Sequence, residues 1–432
     1  TRRQFLEVAA ATVAATVLAR PALAAPVAPG TATPGLAASP LPVGPGAPFG
    51  SYQSEIYVAG MTAGTKPIFT TNLSDLEDAA AEVLSEAARQ HLLAWAGGAA
   101  AVRANAEALA AWRIVPRMFI DRSARDLSTT VLGVEMPAPV ILGPVGGQAM
   151  AHPDGERATA RAAAGLQLTY VHSSLASRSL EEVAVAAPDG PRWFALDWPG
   201  RDGPDPVLLT RARATGCSHL LLSPPQPEQG WEPLAAIHRA WDGPIVLGGI
   251  QNVPDAHMAV DRGFDGIVVS NERGRRGPGV AGTIDVLPQI ADTVGGKLAV
   301  LFGSGVRTGT DVYRALALGA EAVVIGRPYV HGLALAGEDG VRHMLRTLLA
   351  ELEITLTIAG VGHHRDLDAS ALVRAAAAPT PPAQATGPGA PAPAGSRQLP
   401  ATGGGAAVAA GAVGVAAVAE GVRRWVSGAP QD

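Results

Sequence analysis

The chain has 432 residues, of which 47% are hydrophobic and only 16% charged, and its net charge is -5. It is long enough to bury a large core, and it has no lysine or arginine tract that would bind nucleic acid. A small-molecule partner is therefore expected. The single cysteine, Cys217, excludes an internal disulfide, and apolar neighbours such as Leu220 predict a buried, unreactive thiol.

The first 25 residues resemble a twin-arginine export signal. Arg2 and Arg3 precede a mild apolar run, and an Ala-Leu-Ala cleavage-like site follows at 22–24. An ordinary amphipathic helix is the alternative, but the Pro/Gly-rich linker at 26–50 offers it no domain to pack against. Because this export route is associated with cargo that folds first, the signal also suggests a cofactor acquired in the cytoplasm.

The central region, 51–370, alternates short apolar runs with alanine-rich helical patterns. Residues 72–112 are predicted to form helices ahead of this alternation, with Asn72 or Ser74 as the first cap. Helical patterns between the runs cover 155–165, 254–263 and 310–319. The eight runs are PVILGP (139–144), LTYVHS (168–173), WFALDW (193–198), HLLLS (219–223), PIVLGG (244–249), GIVVSN (266–271), LAVLFGSG (298–305) and AVVIGR (322–327).

These runs are continuously apolar, which is typical of parallel strands covered on both faces. Eight of them, about 25 residues apart and alternating with helices, predict an α/β fold: a (β/α)8 TIM barrel with an N-terminal helical extension. A doubly wound open sheet is the alternative, but it would normally show fewer units and less even spacing.

Active sites of such barrels lie at the carboxyl ends of the strands. The ends of the seventh and eighth runs carry Gly303-Ser304-Gly305 with Arg307, and Gly326-Arg327. Glycine amides and guanidinium groups at these two positions are typical of a phosphate site. The competing interpretation is that the two arginines pair with carboxylates on the rim.

The C-terminal region resembles a sortase cell-wall sorting signal. A Pro/Ala-rich spacer at 371–398 leads to LPATGG at 399–404, an apolar segment, and the basic pair Arg423 and Arg424, so the signal covers 399–432. The resemblance implies cleavage after Thr402 and attachment of Thr402 to the wall. A single transmembrane helix is the alternative, but the apolar segment at 405–419 is shorter than the roughly 20 residues a bilayer requires.

The region 52–367 resembles the FMN-dependent 2-hydroxy-acid oxidase/dehydrogenase family, and YQSEIY (52–57) most resembles its lactate 2-monooxygenase branch. The matching segments are collinear: VPRMFID (115–121), LGVEMPAPVILGP (132–144), AHPDGERATARAA (151–163), SLEEVA (179–184), GIVVSN, GSGVRTGTDVYRALALGAEAVVIGRP (303–328) and GEDGVRHML (337–345). The resemblance implies FMN as cofactor and no metal. It places Pro144, Val145, Gly146, Ser173 and Ser223 around the flavin ring, and Ser304, Gly305, Arg307, Gly326 and Arg327 around its phosphate.

The catalytic half of the family pattern is altered. The sixth run ends in Ser270-Asn271-Glu272, so Glu272 stands where the family has its histidine base, while Arg275 matches the arginine that binds the substrate carboxylate. Neighbouring arginines favour a weakly basic Glu272 or a simple ion pair. Other family residues align with replacements: the active-site tyrosine with Ala94, the flavin lysine with Gly248, the ribityl aspartate with Gly303, a glutamine with Ala195, a second tyrosine with Asp197 and the histidine-orienting aspartate with Pro225.

Two functions follow from this pattern. One is an exported, surface-anchored FMN oxidoreductase that transfers hydride from a small anionic 2-hydroxy acid to FMN, releasing a 2-oxo acid. The other is a degenerate family member that binds flavin or an anion without turnover. The expected partners are the small acid, sortase and the cell wall through Thr402, but not nucleic acid, while self-association into a homo-oligomer is left open.

Overall fold

The computed structural model describes residues 49–94, 98–118, 125–197, 205–223, 230–271 and 281–375. The predicted export signal and sorting signal lie outside these residues, as do Pro225, Glu272 and Arg275. Of the predicted spacer, 376–398 lies outside them, whereas 371–375 is described and contributes a short strand. The side chain of Ala94 is likewise outside the described part.

Eight parallel strands close into a barrel, which confirms the predicted TIM-barrel architecture. Each coincides with one of the eight apolar runs, and the hydrogen-bonded order is β10-β11-β4-β5-β6-β7-β8-β9. The strands are β4 (Val140–Leu142), β5 (Tyr170–Ser173), β6 (Arg192–Asp197), β7 (Cys217–Ser223), β8 (Ile245–Ile250), β9 (Gly266–Val269), β10 (Ala299–Gly303) and β11 (Ala322–Ile325). They are almost wholly buried because side chains on one face fill the barrel and those on the other pack under helices.

The helices follow the predicted alternation. Four precede the barrel: α1 (Ser51–Ala63), α2 (Leu76–Val83), α3 (Glu86–Ala94) and α4 (Gly98–Ala111). The others are α5 (Glu156–Gly165), α6 (Leu180–Ala186), α7 (Pro206–Ala214), α8 (Ile237–Ala240), α9 (Val253–Asp261), α10 (Thr283–Val294), α11 (Gly309–Ala317) and α12 (Arg327–Ala359). Asn72 caps the 3-10 turn that opens α2, since its side chain accepts a hydrogen bond from the Ser74 amide at 3.3 Å.

Alternation along the strands decides which side chains enter the barrel. Val171, Trp193 and Ala195 belong to the inner cluster, whereas Tyr170 and Phe194 belong to the cluster under the helices. With a period of two, the next inward positions at the strand ends are Ser173, Asp197 and Ser223. These polar groups therefore face the mouth of the barrel.

Several elements were not predicted. A hairpin, β2 (Thr129–Val131) with β3 (Val134–Met136), adds Val131 and Met136 to the inner cluster. Strand β1 (Trp112–Ile114) pairs antiparallel with β12 (Leu372–Arg374). Three-residue strands lack a run long enough to show a period.

Cys217 is buried, and burial raises the pKa of its thiol to about 11, which confirms the prediction of an unreactive cysteine. Within the described ranges, no helix has the length and apolar character that a membrane span requires.

Candidate cofactor site

One cavity lies at the carboxyl end of the barrel and encloses about 1060 Å3, counting the part that opens to solvent. All ten residues predicted to contact the cofactor line it: Pro144, Val145, Gly146, Ser173, Ser223, Ser304, Gly305, Arg307, Gly326 and Arg327. They come from five strand ends that are far apart in sequence. The barrel thus brings the predicted set together, while Glu272 and Arg275 lie outside the described residues.

The loop after β10 has an unusual backbone. Ser304 and Gly305 have φ values of 82° and 88°, and positive φ at a non-glycine residue is strained. A Cβ at Gly305 would lie 2.8 Å from the Cβ of Asn105, so only glycine fits there. Such strain is found where a backbone is shaped for a ligand.

Arg327 lines the cavity and carries a buried donor. It begins α12, and its Nη1 has no hydrogen-bond partner among the residues that the structure describes. Burial, with the like charge of Arg307, lowers the pKa of Arg327 to about 10. A buried cationic donor without a partner is costly, so an anionic ligand would satisfy it.

Arg307 is held from behind. Its Nε and Nη2 donate to Glu77 Oε2 at 3.3 and 3.2 Å, and its Nη1 donates to the Val306 carbonyl at 3.2 Å. Burial opposes ionisation of Glu77, but Arg307 and Arg327 together lower its pKa. Glu77 does not line the cavity, whereas both arginines do. The ion pair anticipated as the competing interpretation is therefore present for Arg307, alongside its position at the cavity.

Asn105 on α4 joins three parts of the mouth. Its amide exchanges two hydrogen bonds with the amide of Asn271, at 3.0 and 3.1 Å, and its Oδ1 accepts from the amide and hydroxyl of Thr283 at 3.0 Å. The backbone N–H of Asn271 donates to Ser304 Oγ at 3.2 Å. Both Asn105 and Asn271 are buried. Sequence reasoning missed Asn105, and a polar residue on the helical extension gives no signal for such long-range pairing.

The loop after β4 lines another wall of the cavity, and hydrogen bonds from side chains hold its backbone in place. The Tyr329 hydroxyl donates to the Gly143 carbonyl at 2.7 Å, and Gln148 Nε2 donates to the Val145 carbonyl at 3.1 Å. His91 Nε2 lies 3.2 Å from the Gly146 carbonyl. A Cβ on Gly146 would lie 2.7 Å from the Leu175 carbonyl oxygen. This loop is therefore pre-organised before any ligand binds.

The wall opposite the arginines carries Ser173, Ala195, Asp197 and Ser223. Ser173 pairs in register with Ala195, and Asp197 with Ser223. Among the described lining residues, none is a histidine, lysine or tyrosine. This end of the cavity thus offers two hydroxyls and one carboxylate.

These features define a class: a TIM barrel with an anion site after its last two strands and a long cavity reaching the opposite wall, suited to a phosphorylated, ring-bearing cofactor. The comparisons agree. The model of the FMN-dependent dehydrogenase family matches residues 80–224 and 223–374, so the chain belongs to this family. Its cofactor is FMN.

Among curated relatives, an FMN-dependent alpha-hydroxy acid dehydrogenase of Schizosaccharomyces pombe is 37% identical over 377 residues, covering 72% of this chain and 92% of that protein. The L-lactate oxidase of Lysinibacillus sphaericus is 32% identical, covering 71% and 93%. A solved structure of mandelate oxidase aligns with a TM-score of 0.64 at 34% identity, covering 71% of this chain and 98% of that one.

The residues present fit the phosphate of FMN better than its ring. The free Nη1 of Arg327 and the strained backbone at Ser304 and Gly305 would hold the phosphate. At Gly303 a Cβ would make only ordinary contacts, 3.4 Å and longer, so nothing in the packing requires glycine where the resemblance implies a ribityl-binding aspartate. Bound there, FMN supplies an acceptor for two electrons.

Proposed function

We propose that the protein is an FMN-dependent oxidoreductase that oxidises a small 2-hydroxy acid to the 2-oxo acid. The observation that carries the proposal is the convergence of all ten predicted cofactor residues on one cavity. Among them, Arg327 has a buried nitrogen without a partner in the described part of the chain. Support also comes from relatives whose names specify L-lactate oxidase and 2-hydroxyacid oxidase, at 32–34% identity. Arg275 is the proposed binding group for the substrate carboxylate, and Glu272 stands at the position of the family base.

The replacements in the catalytic half predict slow hydride transfer. A general base contributes about 10²–10⁴ in rate, and the missing lysine at Gly248 removes a positive charge that would favour reduced flavin. The test is anaerobic mixing of the FMN-loaded protein with lactate, glycolate or mandelate, following loss of flavin colour. We expect bleaching over minutes to hours, and Glu272→His alone should leave that rate low because Pro225 cannot orient the imidazole.

The outcomes of this experiment separate the alternatives. Bleaching within a second by any of these acids would show that the active site is intact after all. No bleaching over many hours, with FMN demonstrably bound, would refute hydride transfer from these acids.

A flavin-binding protein without turnover is the second candidate function. It is favoured by Ala195 and Gly303, which line the cavity, and by Gly248 on β8. None of the three has the side chain that the resemblance implies at its position. The phosphate end keeps its arginines. On this reading the barrel serves as a flavin- or anion-binding surface protein.

We also propose that the protein is exported and anchored to the cell wall through Thr402. The supporting features are the paired Arg2 and Arg3 before an apolar run, and LPATGG followed by an apolar segment and a basic pair. The 371–398 spacer, rich in proline, would extend the barrel away from the attachment point.

Changing Thr402→Ala should release the protein from the wall fraction, because sortase would no longer find its acyl donor. Cell fractionation with an antibody against the barrel measures the distribution. Ala401→Ser, one residue earlier at the variable position of the motif, is the matched control and should stay in the wall. Intact protein in the cytoplasm with residues 1–25 uncut would contradict both ends of the proposal.

A further inference from the structure

Asp197 ends β6 and points into the barrel mouth. Trp193 and Ala195, at alternate positions before it, belong to the inner cluster, so Asp197 continues the inward-facing row. It lines the cavity itself. Its backbone is fixed, since its amide donates to Ser174 Oγ at 3.0 Å and it pairs in register with Ser223.

The barrel order places Asp197 at the end of the cavity away from the phosphate. In the closed sequence β10-β11-β4-β5-β6-β7-β8-β9, strand β6 lies four strands from β10, on the opposite side of the circle. Arg307 follows β10, and Arg327 begins the helix after β11. The cavity continues from the arginines to the ends of β5, β6 and β7, so a cofactor held by its phosphate there would have room for its ring system on that side.

We propose that Asp197 accepts the hydroxyl proton of the substrate during oxidation, an inference that rests on the proposed function. Of the described residues that line the cavity, Asp197 alone carries a carboxylate. The other polar side chains there are hydroxyls, an amide and two guanidinium groups, none of which accepts a proton readily near neutral pH. Glu272, by contrast, is followed in sequence by Arg273, Arg275 and Arg276, which weaken it as a base.

The step balances without a further reactant. The substrate O–H bond breaks and its proton passes to the Asp197 carboxylate, while the C2–H bond breaks and its hydride, with two electrons, passes to FMN. The C2–O single bond becomes the carbonyl of the 2-oxo acid. The proton on Asp197 then leaves to solvent through the open mouth.

The first experiment compares Asp197→Asn with the unmodified FMN-loaded protein in anaerobic reduction by lactate. We expect the rate to fall by about 100-fold, with the affinity for FMN unchanged because the phosphate end is untouched. Formate should partly restore the rate of Asp197→Gly by supplying the missing carboxylate. Asp189→Asn, an exposed position before the start of the same strand, is the matched control and should reduce normally.

A second readout does not depend on turnover. Pyruvate, the 2-oxo product of lactate, should bind several-fold more tightly to Asp197→Asn, because one of two facing negative charges is removed. The shift of the flavin absorbance on titration measures this affinity. Unchanged pyruvate binding would show that Asp197 does not face the ligand and would overturn the inference.

The two readouts distinguish failure of this inference from failure of the proposed function. If the unmodified protein is never reduced, the oxidoreductase proposal falls, and pyruvate binding alone decides whether Asp197 faces the ligand. If it is reduced and Asp197→Asn is reduced equally fast, the inference is wrong. A large loss with Glu272→Gln and none with Asp197→Asn would assign the proton to Glu272.

Discussion

Arg327→Met is expected to weaken FMN binding by about 10- to 150-fold, corresponding to about 1.5–3 kcal/mol for a charge-assisted hydrogen bond. The buried Nη1 of Arg327 has no hydrogen-bond partner among the described residues, so the phosphate is the proposed acceptor. The same change should leave the melting temperature of the FMN-free protein unchanged or raise it, because a buried cation without a partner is replaced by an apolar side chain. Flavin absorbance titration and thermal melting measure the two effects.

Two controls show whether the phosphate is the cause. Riboflavin, which lacks the phosphate, should bind Arg327→Met and the unmodified protein equally. Arg342 lies beyond the kink that Ala336 and Gly337 make in α12, and it pairs with Glu338 and Asp339. Arg342→Met should therefore change neither quantity. Equal loss of riboflavin and FMN affinity would mean that Arg327 supports the ring or the fold instead of the phosphate.

Arg307→Met should weaken FMN binding less than Arg327→Met. Three of its donors are already committed to Glu77 and the Val306 carbonyl. Its replacement would also leave Glu77, which is partly exposed, without its partner. Water can solvate that carboxylate, which limits the change in stability.

Acid should destabilise the fold between pH 6.5 and 4, largely through buried histidines. His172 is 3% exposed and stacks on Phe194 with 6.4 Å between ring centres. Burial, aided by Arg192, lowers the pKa of His172 to about 4. Burial, with His363 and Arg365, likewise lowers the pKa of His364 to about 4.

The loss of stability at low pH follows from proton uptake by the unfolded chain. The unfolded chain binds a proton at each histidine near pH 6.5, and the folded chain does so only near pH 4, so the stabilisation is complete above pH 6.5 and is lost as the pH falls toward 4. Each such histidine accounts for up to about 3 kcal/mol over that window. His172→Phe should therefore melt with a smaller difference between pH 7 and pH 5 than the unmodified protein.

The control for this prediction is His257→Phe, at an exposed position on α9. It should leave the difference in melting temperature between pH 7 and pH 5 as it is in the unmodified protein. An unchanged difference in His172→Phe would show that the pKa of His172 is the same in the folded and unfolded chain. Carboxylates that titrate in the same range cancel in the comparison of variant with unmodified protein.

The barrel could be predicted from the pattern of apolar residues alone. Strands buried on both faces must be apolar throughout, and the helices between them must carry an apolar stripe. Both patterns can therefore be recognised within short segments of the sequence. The pattern also predicted a set of residues at two strand ends, Ser304, Gly305, Arg307, Gly326 and Arg327, which line one cavity. Their binding to phosphate remains a prediction. Asn72 was found as a cap because capping is a short-range interaction.

The partners of these groups, in contrast, become visible only in the folded chain. Glu77 and Arg307 are 230 residues apart, and Asn105 and Asn271 are 166 apart; no local pattern records that they meet. The sequence places Arg307 and Arg327 at equivalent strand ends. In the folded chain Arg307 pairs with the Glu77 carboxylate, whereas Arg327 has a buried nitrogen without a partner among the described residues. The resemblance aligns Asp197 with a tyrosine of the family, and this alignment does not show what the side chain faces. Its position across the barrel from the arginines is defined only when the eight strands close.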